Sequence, residues 1–362
     1  MRSIFHRHPR TVLLLIAALI STYLFFPFTI GTFQAPNYTA YVLRDDGLPS
    51  RIAHAEEEYA NVVRSRREMI RKYGPETRDI ELFPPDKSPW PPYTVWSFFP
   101  AAFDCPHEVL RLGTLADGGK WVCGLSRLLS ASPSPPSSNT DNSHSDDADD
   151  DKPISMSAAS LRPCVIYSIG LGYDSSFEAD LLGRAPHCRV WGYDNEPRVK
   201  GWGWSGEVGR GVKARASFKP WSLVGKEGDG GEDEGKYTLE RLMEINGHTH
   251  IDILKIDLES REFDTMRTLL RPYIASGKPL PFGQLLLEIH VWDRGFPELL
   301  AWWEMLEAVG LRPFWTQPNL VYQNYNKKKT AELAEYSFLN VQGENIFISD
   351  PLSSSRLSKD VR

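Results

Sequence analysis

The segment VIYSIGLGYDSSFE at residues 165–178 decides the fold class of this 362-residue chain. Its apolar run, Val165–Ile169, predicts a strand, and a helix-like stretch follows from about Ser176 to Leu182. Between them lies Gly170-Leu171-Gly172. Glycine has no Cβ atom, so the chain can turn tightly there and its backbone can approach a ligand closely.

Two further segments extend this pattern. VWGYD at residues 190–194 is an apolar run that ends in Asp194, about 20 residues after Gly172, where doubly wound α/β proteins place the acid that binds ribose hydroxyls. DILKIDLES at residues 252–260 also ends in acidic residues, Asp257 and Glu259. The three segments together predict a binding site for a cofactor that contains adenosine.

Strand and helix patterns alternate along the central part of the chain. Strands are predicted at residues 165–169, 189–193, 213–218, 251–257 and 284–290, and helices at 176–182, 239–246, 263–270 and 296–309. Such alternation implies a parallel sheet covered by helices. Three closing strands are predicted at residues 312–316, 336–341 and 345–349, including an antiparallel hairpin. The expected fold is α/β, a Rossmann-like, mostly parallel sheet of seven strands.

The N-terminal part predicts a membrane anchor followed by a stem. Residues 11–30 carry no charge and are long enough to cross a bilayer, and the arginines that precede them place the N-terminus in the cytoplasm. A cleaved signal peptide is the alternative. The predicted organisation is a cytoplasmic tail (1–10), a transmembrane signal anchor (11–30), a stem (31–100), a catalytic domain (101–350) and a flexible tail (351–362). Disorder is expected for the insertions 130–160 and 225–236, and a charged helix at 52–73 is expected to be a solvated spacer.

Charge and cysteine content narrow the class of protein. The net charge of −6 is concentrated in two acidic stretches, residues 131–160 and 226–236, so the folded part is near neutral and has no electrostatic signature of nucleic-acid binding. The even number of cysteines in a chain expected to face a lumen predicts two disulfides. Cys164 and Cys188 each precede one of two strands that are expected to be parallel neighbours, so both thiols would lie at the same end of the sheet and could form one disulfide. Cys105 and Cys123 would then form the other. Four reduced thiols are the alternative.

The ordered segments resemble class I methyltransferases that depend on S-adenosylmethionine. The resemblance is to the methyltransferase-like protein 24 family, which is related to FkbM-type enzymes. The matching segments are DGGKWVC (117–123), VIYSIGLGYDSSFE (165–178), VWGYD (190–194), FKPWSLVG (218–225), IDILKIDLES (251–260) and LLLEIH (285–290). One departure is Ser260, where FkbM-type enzymes usually have glycine. The third glycine of the dinucleotide motif is absent, which also favours S-adenosylmethionine.

The candidate site residues are predicted from their positions in the sequence and from the resemblance. The predicted cofactor-binding residues are Gly170, Gly172, Asp194 and Asp257. The predicted catalytic residues are His290, Asp257 and Glu288, with His290 as the general base that removes a hydroxyl proton. A histidine satisfied structurally at a strand end is the alternative for His290, and an ion pair between Lys255 and Asp257 is the alternative for that strand end. No metal is expected, because the acids and His290 show no diagnostic ligand spacing.

The predicted function is O-methylation, with S-adenosylmethionine as cofactor, of a hydroxyl-bearing secretory-pathway substrate such as a glycan or another small molecule. The chain is expected to be a single-pass type II protein of the Golgi or endoplasmic reticulum, with a luminal catalytic domain and no nucleic-acid partner. A Golgi-type glycosyltransferase shares the layout of anchor and stem, but the chain has no D-x-D segment after a strand. A catalytically inactive, methyltransferase-fold binding protein is the third possibility. The sequence does not indicate an oligomeric state.

Overall fold

The computed structural model describes residues 45–84, 92–115, 117–129, 164–196, 213–226 and 235–349. The predicted anchor at 11–30, the insertion 130–160 and both terminal tails lie outside these ranges. Within the ranges, no helix has the length and apolar character that a membrane span requires.

A seven-stranded sheet forms the centre of the molecule, with β8 in its middle. The strands are β1 (Val109–Leu112), β2 (Lys120–Cys123), β3 (Cys164–Ile169), β4 (Cys188–Tyr193), β5 (Ala216–Lys219), β6 (Ser222–Leu223), β7 (Lys236–Tyr237), β8 (Ile251–Ile256), β9 (Phe282–His290), β10 (Leu311–Pro318) and β11 (Leu333–Asn340). The order across the central sheet is β10-β11-β9-β8-β3-β4-β5. The five strands from β9 to β5 are parallel, and β11 runs antiparallel to both β9 and β10. The predicted fold class, a mostly parallel sheet of seven strands, is confirmed.

Helices cover both faces of this sheet. They are α1 (Leu48–Tyr73), α2 (Leu125–Leu129), α3 (Ser176–Arg184), α4 (Leu239–Asn246), α5 (Glu262–Ser276), α6 (Phe296–Ala308) and α7 (Leu320–Tyr325), with short 3-10 helices at Thr77–Asp79 and Val95–Phe98. Alternate residues of β3 point to opposite faces. Tyr167 joins the apolar core that contains α4, α5 and α6, whereas Ile166 joins the core that contains α3 and the β1–β2 hairpin.

Two sequence expectations fail at the edges of this fold. Residues 345–349 form a turn instead of the predicted strand, because the Asn345 side chain accepts the Phe347 N–H at 3.1 Å and its carbonyl accepts the N–H of Ile348. The expected disorder of 225–236 does not hold at its C-terminal end, where Lys236 pairs with Ser222 in the β6–β7 ladder. Residues 227–234 lie outside the described ranges.

All four cysteines form the predicted disulfides, Cys105–Cys123 and Cys164–Cys188. Cys164 and Cys188 are directly opposite each other at the start of the parallel strands β3 and β4. The first disulfide ties the segment before β1 to the end of β2. The pairing derived from strand positions is therefore confirmed.

The stem helix α1 is not the solvated spacer that its charges predict. Leu48, Ala55 and Tyr59 are buried, and Arg66 is only 4% exposed. The Arg66 guanidinium contacts the Glu307 carboxylate of α6 at 2.7 Å and donates to the Phe98 carbonyl. Tyr59 donates to the same carboxylate. Helix α1 is docked because one of its charges has its partner on the sheet domain, 241 residues away.

This buried ion pair predicts a large effect of Glu307→Gln. The substitution leaves the Arg66 charge buried without a counterion, so the free energy of unfolding should fall by about 3 to 5 kcal/mol. Urea unfolding followed by circular dichroism measures the change. The control is Glu304→Gln, an exposed acid on the same helix, which should change stability by less than about 0.5 kcal/mol. Equal effects of the two substitutions would contradict the docking of α1 through this pair.

Candidate functional site

The carboxyl ends of β3, β4, β8 and β9 lie together at one edge of the sheet. The chain passes from β3 to β4 and β5 on one side, and then returns to place β8 on the other side of β3. Ligands of open α/β sheets bind in the crevice that such a reversal opens beyond the strand ends. The predicted site residues all follow or end these four strands, so the fold gathers them at this edge.

The two glycines after β3 have different structural roles. Gly170 has a φ of +72°, and a Cβ atom there would lie 1.7 Å from the carbonyl oxygen of Asp257. Only glycine permits this approach between the ends of β3 and β8. Gly172 has a φ of +59°, and a Cβ atom there would meet nothing within 4 Å. Gly170 is therefore required by packing, whereas Gly172 borders open space.

Asp194 faces this open space from the end of β4. Its Oδ2 accepts the backbone N–H of Gly172 at 3.0 Å, and its Oδ1 accepts the N–H of Glu196 at 2.8 Å. The two bonds fix the carboxylate beside the glycine loop. A carboxylate has about four acceptor positions, so each oxygen can still accept a ligand hydroxyl.

Lys255 does not pair with Asp257, and this alternative from the sequence is wrong. Its ammonium lies 3.4 Å from Oε1 of Glu178, a buried residue of α3, and donates to the Gly170 carbonyl. Burial alone would lower the pKa of Lys255, but Glu178 and Asp257 outweigh it and raise the pKa. The lysine is thus a structural link between α3 and β8, and the Asp257 carboxylate accepts no hydrogen bond from any described residue.

Asp257, Glu288 and His290 converge at the ends of β8 and β9. One oxygen or nitrogen of each lies within 4.8 Å of those of the other two. His290 Nε2 lies 3.9 Å from Asp257 Oδ1. The structure therefore brings the three predicted catalytic residues together. Glu259, expected on the same strand face, follows the end of β8 in a turn and is exposed.

Glu262 is a member of the site that the sequence did not reveal. It begins α5, is fully buried, and its Oε1 accepts both the backbone N–H of His290 at 2.8 Å and the ring Nδ1 at 3.3 Å. The signal in the sequence is an acidic residue in the first turn of a helix that follows a strand. Its partner on β9 cannot be inferred from that position.

Two members of the group Asp257, Glu288 and His290 have shifted pKa values. Burial and the neighbouring Asp257 carboxylate raise the pKa of Glu288 to about 7. Burial lowers the pKa of His290, but the bond to Glu262 and the nearby carboxylates outweigh it, so the pKa is raised overall. Groups with shifted pKa values in a crevice are typical of functional sites.

The β1–β2 hairpin and the β10–α7 connection complete the walls of the site. Asn319 donates to Glu288 Oε1 at 3.1 Å and to Asp117 Oδ1 at 3.0 Å, and the buried Lys120 pairs with Glu335. Burial and the Lys255 charge lower the pKa of Lys120. A cavity of about 100 Å³ opens beside these groups, and Trp121 and Trp315, stacked 3.9 Å apart, line it. The sequence predicted none of these wall contacts.

A family profile described as a methyltransferase domain matches residues 86–299. The chain belongs to this methyltransferase domain family. The expectation of a methyltransferase is therefore confirmed at the level of the family, and the methyltransferase-like protein 24 group remains a prediction. No curated protein matches the chain significantly.

Solved structures with similar folds include several methyltransferases. The Methanococcus jannaschii fibrillarin pre-rRNA processing protein is 11% identical, with 49% of this chain and 66% of that chain covered and a TM-score of 0.30. The FkbM methyltransferase of Methylobacillus flagellatus KT is 13% identical, with 50% and 45% covered and a TM-score of 0.29. This chain thus spans about half of the FkbM structure. At these TM-scores, the assignment of the methyltransferase domain rests on the family profile.

The turn after β8 holds Ser260, which stands where FkbM-type enzymes usually have glycine, in a strained backbone conformation. Ser260 has a φ of +74°, in the region that favours glycine. A side chain in this region costs about 1 to 2 kcal/mol. We expect Ser260→Gly to raise the free energy of unfolding by about 1 kcal/mol, since the greater flexibility of the unfolded glycine offsets part of the gain.

Thermal and urea unfolding measure this change. The control is Ser276→Gly at the end of α5, where the same substitution has no strained φ to relieve and should lower stability. Destabilisation by both substitutions would contradict the strained turn at Ser260.

Proposed function

We propose that this protein is an S-adenosylmethionine-dependent methyltransferase that methylates a hydroxyl group. The observation that carries the proposal is the contact of the Asp194 carboxylate with the Gly172 N–H beside open space, at the crevice of a methyltransferase domain. Bound S-adenosylmethionine would supply an electrophilic methyl carbon on a positively charged sulfur.

The residues present fit such a cofactor. Asp194 keeps two acceptor positions for a ribose diol, in charge-assisted hydrogen bonds that are stronger than neutral ones. Gly172 leaves its Cβ position empty, so the methionine part would have room to lie against the backbone of the loop. Asp257, held against Gly170 by the strand ends, borders the same crevice from the side of β8.

The acceptor hydroxyl has to lie in line with the methyl carbon and to lose its proton. Asp257, Glu288 and His290 form the cluster of basic atoms at the strand ends next to the glycine loop. Since Glu262 engages Nδ1 of His290, Nε2 is the ring nitrogen directed at the other two groups. The cluster is where the acceptor hydroxyl would bind and be activated.

The proposed substrate is a hydroxyl-bearing molecule of the secretory pathway, such as a glycan, and the proposed location is the Golgi or endoplasmic reticulum lumen. Support comes from the two disulfides, because such bonds persist in oxidising compartments. The apolar residues 11–30 would hold the domain at the membrane as a type II anchor. A near-neutral folded part agrees with a substrate other than nucleic acid.

Isothermal titration with S-adenosylmethionine tests the cofactor site. Asp194→Asn keeps the shape of the side chain but removes its charge, and should weaken binding roughly 10- to 100-fold. The matched control is Glu244→Gln, a carboxylate on α4 whose side chain is 71% exposed and pairs with Arg241, and it should bind like the wild type. Absence of binding to the wild-type protein, or equal binding by Asp194→Asn, would contradict the proposed cofactor site.

A further inference from the structure

His290 presents a ring nitrogen, Nε2, that lacks a hydrogen-bond partner among the described residues. The side chain is 3% exposed, and Nε2 makes no hydrogen bond with any described residue. The nearest charged atom, Asp257 Oδ1, is 3.9 Å away, which is too far for a proton to be shared in a hydrogen bond. A nitrogen and a carboxylate oxygen at this separation leave room for a cation between them.

Glu262 orients this nitrogen. Its carboxylate, which is 0% exposed, engages Nδ1 of His290 and also the backbone N–H of the same residue. Histidines that bind metals almost always donate their other ring N–H to a carboxylate, a backbone carbonyl or water, which sets the tautomer and the ring orientation. The Glu262–His290 pair has this arrangement, and it directs Nε2 toward Asp257 and Glu288.

The two acids are also short of partners. Glu288 is 6% exposed, and among the described residues its side chain accepts a hydrogen bond only from Asn319, at Oε1. The Asp257 carboxylate accepts none from the described residues. Two lysines lie nearby, but Lys255 is paired with Glu178 and Lys120 with Glu335. Among the described residues, no lysine or arginine lies within 4.0 Å of the Asp257 or Glu288 carboxylate, although the charges of Lys255 and Lys120 act on both from a greater distance.

We propose that Asp257, Glu288 and His290 bind one divalent cation, with two carboxylate oxygens and one imidazole nitrogen as ligands. Their donor atoms lie within 4.8 Å of one another, and small side-chain rotations would bring them to the bond lengths of about 2.0 to 2.2 Å that such ions require. This mixed nitrogen and oxygen set suits an ion such as Mn²⁺ or Zn²⁺ better than Ca²⁺, which takes oxygen ligands.

A second group of acids, Asp117, Glu288 and Glu335, also has donor atoms within 4.8 Å of one another. It is the poorer site, because the Lys120 ammonium already occupies the position beside Glu335 and Asp117 is exposed. This group also contains no oriented histidine. The group with His290 is therefore the one to which we assign the ion.

The role of the ion rests on the proposed function, but its binding does not. An ion with open positions would bind the acceptor oxygen and lower the pKa of the hydroxyl. The O–H bond then breaks with release of the proton to water, while the new O–CH₃ bond forms and the bond from methyl carbon to sulfur breaks. In this assignment His290 is a metal ligand instead of the general base that the sequence predicts.

Titration of the chelator-treated protein with Mn²⁺ alone, followed by the electron paramagnetic resonance signal of free Mn²⁺, tests the site. We expect one ion per chain. Glu288→Gln, His290→Gln and Asp257→Asn should each weaken binding by at least roughly 10-fold, and Glu262→Gln by roughly 10- to 100-fold through loss of the histidine orientation. Asp117→Asn is the matched control, since Asp117 accepts from the same Asn319 amide as Glu288, and it should bind Mn²⁺ within about twofold of the wild type.

Absence of stoichiometric Mn²⁺ binding, or loss of binding in Asp117→Asn with no loss in His290→Gln, would overturn the proposal. Circular dichroism of each variant tests for misfolding. Asp257→Asn carries the smallest risk of misfolding, because that side chain is 31% exposed to solvent. S-adenosylmethionine titration of the same wild-type sample separates the two proposals. Cofactor binding without Mn²⁺ binding refutes the metal site alone, and Mn²⁺ binding without cofactor binding refutes the proposed function alone.

Discussion

The close approach of Gly170 to the carbonyl of Asp257 is the constraint on which the rest of the site depends. It joins the ends of β3 and β8, the two strands between which the chain reverses its direction across the sheet. Any side chain at residue 170 would push these ends apart. With glycine there, the loop that carries Gly172 lies over β3 beside Asp194, and Asp257 lies next to the end of β9. The absence of a Cβ atom at Gly170 thus allows both sides of the crevice, the one with Asp194 and the one with Asp257, to take up their positions.

Buried charge is concentrated at this same edge of the sheet. Glu178, Lys255, Glu262 and Glu288 are all nearly inaccessible to solvent, although burying an ionised group is costly unless it is paired. Glu178 pairs with Lys255, and Glu262 engages His290. Apolar residues of the same volume would stabilise the fold at least as well. Glu178 and Lys255 thus link α3 to β8, whereas Asp257 and Glu288 have no lysine or arginine among the described residues within 4.0 Å and are available for a ligand.

The parts that the sequence predicts are those set by local pattern. Alternation of strands and helices located the sheet, and the positions of Cys164 and Cys188 before neighbouring strands predicted their disulfide. The spacing of Gly172 and Asp194 placed them at one site. Contacts between distant segments were not accessible in this way. Arg66 contacts Glu307, which lies 241 residues further along the chain. Lys255 pairs with Glu178 because α3 packs over β3, and the alternation of residues along β8 does not reveal that contact. Glu262 and Asn319 contact His290 and Glu288 of the site, and these contacts also join segments that are distant in the sequence.

We propose that the crevice above β3, β4 and β8 is a cofactor site. A crystal structure of the protein with S-adenosylhomocysteine tests this assignment. We expect the ribose hydroxyls to lie within hydrogen-bond distance of the Asp194 carboxylate, and the amino-acid part of the ligand to lie over Gly172. Ligand bound elsewhere, or a crevice that stays empty at saturating ligand, would contradict it.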